Sequence, residues 1–180
     1  MPRLILINGA PGSGKSTIAA LLATEQPLAF ALEIDSIKHA LGRWDEDPLR
    51  SGLHARRLSV AAAKEQLASG HDVFIGQYLA RTSFIEELES LAVACRARFH
   101  EFVLDLDAVA LAERIGARTA RPDRPEHDVN NQLVGARDAE ALARSLDELR
   151  HTRPDAVWVD ARGSLMATTD LIRARLEQDQ

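Results

Sequence analysis

Cysteine is almost absent from the chain, because Cys95 is the only one among 180 residues. A single cysteine excludes a disulfide framework and any metal site that needs several thiolates. The six histidines also lack the H-E-x-x-H spacing that places two zinc ligands on one helix. The sequence therefore offers neither a disulfide-stabilised fold nor a recognisable zinc pattern.

An excess of positive charge and a long apolar run are also missing. The net charge is -5, whereas dedicated nucleic-acid binders usually present a basic face. No apolar segment approaches the length of a membrane span. Because a strand-like pattern begins at Arg3, we expect no signal peptide and a cytoplasmic location. We expect no nucleic acid and no membrane as partners, and either a monomer or a homodimer.

The most specific signal is the segment GAPGSGKS at residues 9–16, which fits the phosphate-loop pattern G-x-x-x-x-G-K-[ST]. A short apolar, β-branched run at residues 4–7 precedes it, and an alanine- and leucine-rich helical pattern follows at residues 18–23. This strand–loop–helix context is the one that the motif requires. The segment is therefore predicted to bind the phosphates of a nucleotide.

Each kind of residue in this loop has a physical role. The glycines allow unusual dihedral angles and leave room for a phosphate against bare backbone. Backbone N–H groups and the positive end of the following helix converge on the anion. Lys15 adds a charge for the β- and γ-phosphates, and the Ser16 hydroxyl can ligate Mg²⁺. The predicted nucleotide-binding residues are Gly9, Ala10, Pro11, Gly12, Ser13, Gly14, Lys15, Ser16 and Thr17, with ATP and Mg²⁺ as cofactors.

Strand and helix patterns alternate along the rest of the chain without an internal repeat. This alternation predicts one α/β domain over residues 1–180, with a doubly wound five-stranded parallel sheet. Ligands of such sheets bind beyond the carboxyl ends of the strands. Strands are predicted at residues 3–8, 28–33, 72–77, 99–106 and 156–160. Helices are predicted at residues 14–24, 35–42, 49–69, 83–98, 108–120, 129–150 and 168–177. The apolar side of the third helix is expected at Leu53, Leu58, Ala61, Ala62 and Leu67, and the last helix is expected to be capped by Thr169 or Asp170.

The loop and its surroundings resemble the small P-loop kinases that phosphorylate a hydroxyl of a small molecule. The pattern is most similar to the chloramphenicol-phosphotransferase-like group, with zeta toxin, gluconate kinase and shikimate kinase as more distant relatives. The resemblance implies a P-loop NTPase fold of the nucleoside-monophosphate-kinase type with a helical lid. It also implies transfer of the γ-phosphate of Mg-ATP to a small-molecule hydroxyl acceptor.

Asp35, which follows the second strand, is the base that the resemblance implies for the acceptor hydroxyl. The same carboxylate could instead hold a water of the Mg²⁺ shell or cap the next helix. The resemblance further implies a lid over about residues 118–135, whose arginines stabilise the transferring phosphoryl group. Arg118 and Arg121 are expected to be catalytic, Arg118 also to bind nucleotide, and Arg114 and Arg124 to assist. The alternative for these arginines is a solvated face.

The third strand departs from the family pattern, because it ends at Gln77 where many relatives have an aspartate that supports Mg²⁺. An amide cannot supply that charge, which leaves room for a nucleotide-binding regulatory module or a slow ATPase. For a kinase, the predicted acceptor-binding residues are Asp35, Lys38, Arg50, Arg57 and Gln77. Further residues that could line the acceptor site are His39, Trp44, His54, Tyr78 and Arg81, each of which could also be an ordinary surface residue. The sequence does not separate ATP from GTP, or an antibiotic from a nucleoside or a sugar as acceptor.

Overall fold

The computed structural model describes residues 1–120 and 134–178, apart from the side chain of Arg118, and in these ranges five parallel strands form one sheet. The strands are β1 (Arg3–Asn8), β2 (Phe30–Leu32), β3 (Val73–Gln77), β4 (Arg98–Asp105) and β5 (Val157–Asp160). The helices are α1 (Lys15–Thr24), α2 (Ile34–His39), α3 (Pro48–Ala68), α4 (Ser83–Ala94), α5 (Ala108–Ala120), α6 (Ala139–Asp147), α7 (Leu149–Thr152) and α8 (Leu165–Gln178), with a 3-10 turn at Ala136–Asp138. None of these helices has the length and apolar character needed to cross a membrane.

β1 lies at the centre of the sheet, whose strand order is β2-β3-β1-β4-β5. It pairs in parallel with β3 on one side and with β4 on the other. Its residues Leu4, Ile5, Leu6 and Ile7 are fully buried. A strand covered on both faces and both edges reads as a continuous apolar run rather than an alternating one. The predicted five-stranded parallel α/β fold is confirmed.

The start of α1 packs directly against the backbone of β3. A Cβ atom added to Gly76 would lie 2.8 Å from the Cα of Ser16 and 2.9 Å from the carbonyl carbon of Lys15. No side chain fits between these two stretches of backbone. Glycine at this position therefore sets how closely the phosphate loop and its helix approach the sheet.

α3 buries a different face from the one that its large apolar residues predict. Its buried residues are Ser51, Ala55, Ser59, Ala63 and Leu67, whereas Leu53 and Leu58 are 53% and 40% exposed. Small side chains four residues apart let the helix lie close to its neighbours, and the Ser59 hydroxyl is satisfied by donating to the Ala55 carbonyl oxygen at 2.8 Å. The predicted apolar side was correct for Leu67 and in part for Ala62, which packs half-buried against the core, and wrong for Leu53, Leu58 and Ala61.

The last two predicted helices differ from the structure in ways that affect their caps and continuity. The helix predicted at residues 129–150 falls partly outside the described residues, and the remainder is the 3-10 turn followed by α6 and α7. The last helix begins at Leu165, three residues earlier than predicted. Thr169 is buried within it and donates to the Leu165 carbonyl oxygen. The cap is Ser164, whose hydroxyl accepts from the Ala167 N–H at 3.2 Å.

Candidate active site

The phosphate loop joins β1 to α1 with the backbone shape that its glycines allow. Gly12 and Gly14 have φ angles of 87° and 94°, which side-chain-bearing residues rarely adopt. Among the described residues, no side chain caps α1, and its first turn contains no acidic residue. The first N–H groups of a helix have no partner inside it. These donors, together with the positive end of α1, therefore form a site for an anion.

Ser13 supports the loop from its buried side. Its side chain is buried, and its hydroxyl has no hydrogen-bond partner among the described residues. A Cβ atom added to Gly9 would lie 2.5 Å from this hydroxyl oxygen and 3.2 Å from the Cβ of Leu104. The Ser13 N–H donates to the Ala10 carbonyl oxygen at 3.1 Å and closes the turn. Gly9 is thus required for packing beneath the loop.

Lys15 and Ser16 occupy the first turn of α1. The Lys15 ammonium lies 3.4 Å from the Ala10 carbonyl oxygen, so the side chain folds back over the loop. A serine hydroxyl is a hard oxygen ligand that fits Mg²⁺, which usually keeps water and substrate phosphate oxygens as its other ligands. Within the described residues, no group of three acidic, histidine or cysteine side chains could hold a metal ion. The donor set fits Mg²⁺ carried in with the nucleotide.

Asn8 ties the beginning of the loop to the segment that follows β3, a role that sequence reasoning missed. Its side chain is fully buried. The Asn8 amide donates to the Leu79 carbonyl oxygen at 2.8 Å, and the Leu79 N–H donates to the Asn8 side-chain oxygen at 2.9 Å. Asn8 also pairs in register with Gln77 at the carboxyl end of β3. A polar residue at the end of an apolar strand was the available signal.

Asp35 lies in the first turn of α2 and does not cap it. The N-cap position belongs to Glu33, whose carboxylate accepts from the Ser36 hydroxyl at 3.1 Å. The predicted capping alternative for Asp35 was therefore wrong, because β2 ends earlier and α2 begins one residue before Asp35. Residues three and four apart on a helix share a face. Lys38 and His39 thus lie on the same side of α2 as this carboxylate.

The α2–α3 loop places Trp44 against that side of α2. The Lys38 ammonium lies 5.1 Å from the centroid of the Trp44 ring, and the His39 and Trp44 ring centroids are 4.3 Å apart. Trp44, Arg50, His54 and Arg57 all line one cavity of about 810 Å³ beside α3. The structure therefore brings four of the predicted acceptor-site residues together. Lys38 contacts this group through the Trp44 ring.

The candidates after β3 do not line this cavity. The Tyr78 hydroxyl is 2.8 Å from the Ser145 hydroxyl, so this side chain contacts α6. Gln77 stays at the end of β3 beside Asn8. Arg81 is exposed near the end of the loop that joins β3 to α4. The predicted acceptor residues thus divide into a group around Trp44 and a group at the sheet edge.

Arg114 connects three parts of the nucleotide side of the site. Its guanidinium donates to the Ser13 carbonyl oxygen at 3.2 Å, and to those of Ala161 and Gly163 at 2.6 and 2.8 Å. These bonds join α5 to the phosphate loop and to the loop that follows β5. The backbone of Arg118 continues α5 one turn further on. The Arg118 side chain, Arg121 and Arg124 lie outside the described residues.

Charged groups at the ends of β4 and β5 are paired among themselves. The Arg162 side chain and its backbone N–H hold the pKa of Asp160 down at about 2. Asp105 pairs with Arg150 at 2.8 Å. Asp107 caps α5 by accepting from the Ala110 N–H at 2.8 Å.

Comparison with known proteins places this site in a family. A family model described as an AAA domain matches residues 4–139. Shikimate kinase from Zymomonas mobilis is 31% identical over 171 residues, covering 89% of this chain and 86% of that protein.

Solved structures with the same fold include a gluconokinase from Sinorhizobium meliloti and a protein from Chloroflexus aurantiacus described as a putative kinase. The first has a TM-score of 0.58 and 21% identity, and covers 99% of this chain and 98% of that one. The second has a TM-score of 0.66 and 18% identity, with the same coverage. A tunicamycin resistance protein from Deinococcus radiodurans has a TM-score of 0.61 and 19% identity, and covers 98% of this chain and 96% of that one. At these identities the structural matches show the fold alone. The family model, the curated relative and the phosphate loop together show that this chain belongs to the AAA domain family and is one of its small P-loop kinases.

Proposed function

We propose that this kinase transfers the γ-phosphoryl group of Mg-ATP to a hydroxyl of a small organic acceptor. The observation that carries the proposal is the pairing of an anion site with a separate cavity. The uncapped start of α1 suits a phosphate chain. The cavity beside α3 is connected to Asp35 through α2 and Trp44. Two sites, one for each substrate, are what a phosphotransferase needs.

The proposed reaction uses residues whose positions the fold fixes. The acceptor oxygen forms a bond to the γ-phosphorus while the bond from phosphorus to the β–γ bridging oxygen breaks. The hydroxyl proton passes to the Asp35 carboxylate, and ADP leaves with the bridging oxygen. Lys15 and the loop N–H groups hold the β- and γ-phosphates. Ser16 would hold Mg²⁺, which neutralises developing charge on these oxygens when it is bound.

The remaining negative charge on the transferring phosphoryl group is assigned to the arginines of the predicted lid. Arg118 and Arg121 are proposed to pair with phosphoryl oxygens, because a guanidinium binds them in pairs and is always charged. Arg114 holds the loop after β5 in place, and we propose that adenine binds beside that loop. The curated relative is named for shikimate and one structural neighbour for gluconate, both hydroxyl-bearing small molecules, which supports an acceptor of this general kind.

The test is ADP release from Mg-ATP by the purified protein, with and without pooled hydroxylated metabolites and antibiotics. Release that depends on one pool, and that Lys15→Ala abolishes, supports the proposal. Release that ignores every pool would indicate a slow ATPase instead. Tight ATP binding without release would favour a nucleotide-dependent regulatory module, which the lack of a carboxylate at Gln77 makes the natural second candidate.

A further inference from the structure

The cavity beside α3 is larger and more apolar than a small polyol requires. We infer that the acceptor combines an apolar ring system with an anionic group, a conclusion that rests on the proposed function in assigning this cavity to the acceptor. The cavity measures about 810 Å³, in the upper part of the range of roughly 300–1,000 Å³ typical of drug-sized ligands. A sugar acid would leave much of this space to water.

The apolar wall of the cavity consists of side chains that the fold leaves uncovered. Leu49 and Leu53 are 75% and 53% exposed and both line the cavity. They are four residues apart on α3 and so form one stripe. Trp44 and Leu41 continue the apolar surface across the α2–α3 loop. Single exposed leucines are ordinary, but a contiguous apolar surface around a concavity marks a binding site.

The same wall carries more positive than negative charge, because Arg43, Arg50 and Arg57 line it together with Glu46 and Asp47. Arg50 and Arg57 line the cavity, and no carboxylate of the described residues forms an ion pair with either. By contrast, the neighbouring Arg43 pairs with Glu46 at 2.5 Å. Seven residues make about two turns of a helix and span about 10 Å along its axis. Arg50 and Arg57 therefore lie on one side of α3, at different positions along the helix. An anionic substituent of the acceptor would supply the missing partner.

The Trp44 ring connects this wall of the cavity to α2, the helix that carries the proposed base. Lys38 and His39 hold Trp44 from the side of α2. Both are one helical turn from Asp35 and on its face of the helix. An aromatic ring of the acceptor stacked on Trp44 would therefore lie beside the helix that carries the carboxylate. Its anionic group would face α3.

A matched pair of dyes tests this inference without ATP or turnover. 8-Anilinonaphthalene-1-sulfonate and N-phenyl-1-naphthylamine share the same rings, and only the first carries a sulfonate. The protein would be used as Trp158→Phe, so that Trp44 is its only tryptophan. We expect energy transfer from Trp44 to both dyes, with the sulfonate binding several-fold more tightly.

Variants on α3 separate the two parts of the inference. Arg50→Gln combined with Arg57→Gln should raise the Kd of the sulfonate dye about tenfold, which is the effect of losing about 1.4 kcal/mol of charge pairing, and leave that of the neutral dye unchanged. Leu53→Gln should weaken both dyes. Lys64→Gln removes one positive charge from an exposed position of the same helix outside the cavity and should change neither.

The ratio of the two dye affinities in one sample corrects for any loss of folded protein. An unchanged ratio in the arginine variant would overturn the anionic part, and no transfer from Trp44 would overturn the site itself. An acceptor found by ADP release should displace the sulfonate dye, and a lack of displacement would also overturn the inference. The expected dye pattern without ADP release from any pool would instead reject the proposed phosphotransfer.

Discussion

The Asn8 side chain forms two hydrogen bonds with the backbone of Leu79, one in each direction, at 2.8 and 2.9 Å. Because Asn8 is the last residue of β1 and Leu79 follows β3, this pair fixes two loops to each other at the carboxyl edge of the sheet. One of these loops receives the nucleotide phosphates, and the other begins at Gln77. The pair thus couples the position of the phosphate loop to that of its neighbour.

Asn8→Ala should destabilise the protein by about 1–3 kcal/mol, since it leaves a buried N–H and a buried carbonyl oxygen of Leu79 unsatisfied. Urea unfolding would measure this loss. Asn8→Asp keeps an acceptor for the Leu79 N–H but loses the donor, and leaves a buried charge. If Asn8→Ala were as stable as the wild type, the two hydrogen bonds would have no structural importance.

Gly76→Ala should displace α1 from the sheet, because the new methyl group would lie within 3 Å of the backbone of Lys15 and Ser16. Overpacking of this kind costs about 1–3 kcal/mol, and we expect ATP binding to fall more than stability alone explains. Calorimetric titration of ATP would test it. Gly116→Ala is the matched control, since open space surrounds that glycine in α5. It should be neutral or slightly stabilising.

Lys15→Ala and Asp35→Asn should both lose most turnover, but for different reasons. Lys15→Ala removes the charge that is proposed to hold the β- and γ-phosphates. Asp35→Asn should keep ATP binding and lower kcat by about 10²–10⁴-fold, which is the usual contribution of a general base. Glu33→Gln removes a carboxylate two residues away and should retain activity. Full turnover by Asp35→Asn with a true acceptor would reject the assignment of the base.

Arg114→Lys should raise the KM for ATP by roughly threefold to tenfold, equivalent to losing one or two hydrogen bonds of about 0.5–1.5 kcal/mol each. A lysine keeps the charge, but a single ammonium cannot span the carbonyl oxygens of Ser13, Ala161 and Gly163 at once. Steady-state kinetics at varied ATP would measure the change. The exposed Arg175→Lys serves as control. An unchanged KM would show that the loop after β5 keeps its position without Arg114.

Because of Glu101, the free energy of unfolding should decrease as pH rises above the ordinary carboxyl pKa of 4.5. Burial raises the pKa of Glu101 in the folded chain, although its hydrogen bond and ion pair with Arg153 act in the opposite direction. The folded state therefore holds a proton that the unfolded state has already released. This stability is fully present below pH 4.5 and is lost as pH rises through the folded-state pKa.

The difference between wild type and Glu101→Gln, followed by urea unfolding across this pH range, would reveal the effect. The glutamine stays neutral, so the wild type should lose stability relative to the variant as pH increases. Glu87→Gln, at an exposed position of α4, should leave the pH dependence unchanged. Parallel curves for the wild type and Glu101→Gln would contradict the raised pKa.

The sequence predicted the elements whose signal is local. The phosphate-loop motif and the apolar run of β1 identified the nucleotide side, and the limits of α5 were predicted to the residue. The five-stranded parallel sheet was predicted as well, because alternating strands and helices favour that arrangement, but its strand order was not predicted.

Features that depend on contacts between distant segments were missed. The buried face of α3 is mostly serine and alanine, because close approach favours small side chains, while Leu53 and Leu58 stay exposed. Gly76 appeared only as part of a strand, although a glycine inside a buried strand is a known sign of close backbone approach. No sequence pattern around Asn8 identifies Leu79 as its hydrogen-bond partner. Arg114 was expected near phosphate, but carbonyl oxygens from two loops bind its guanidinium.

The central position of β1 has a consequence for how the chain folds. Pairing of β1 with β3 joins segments of the chain that are far apart, as the Arg3–Asp72 bonds do across 69 positions, and its other neighbour, β4, ends only at Asp105. The phosphate loop is therefore synthesised well before both of the strands that support it. Pairing of distant strands is slow. Nucleotide can accordingly act as a folding ligand only once β3 and β4 have both joined the first strand.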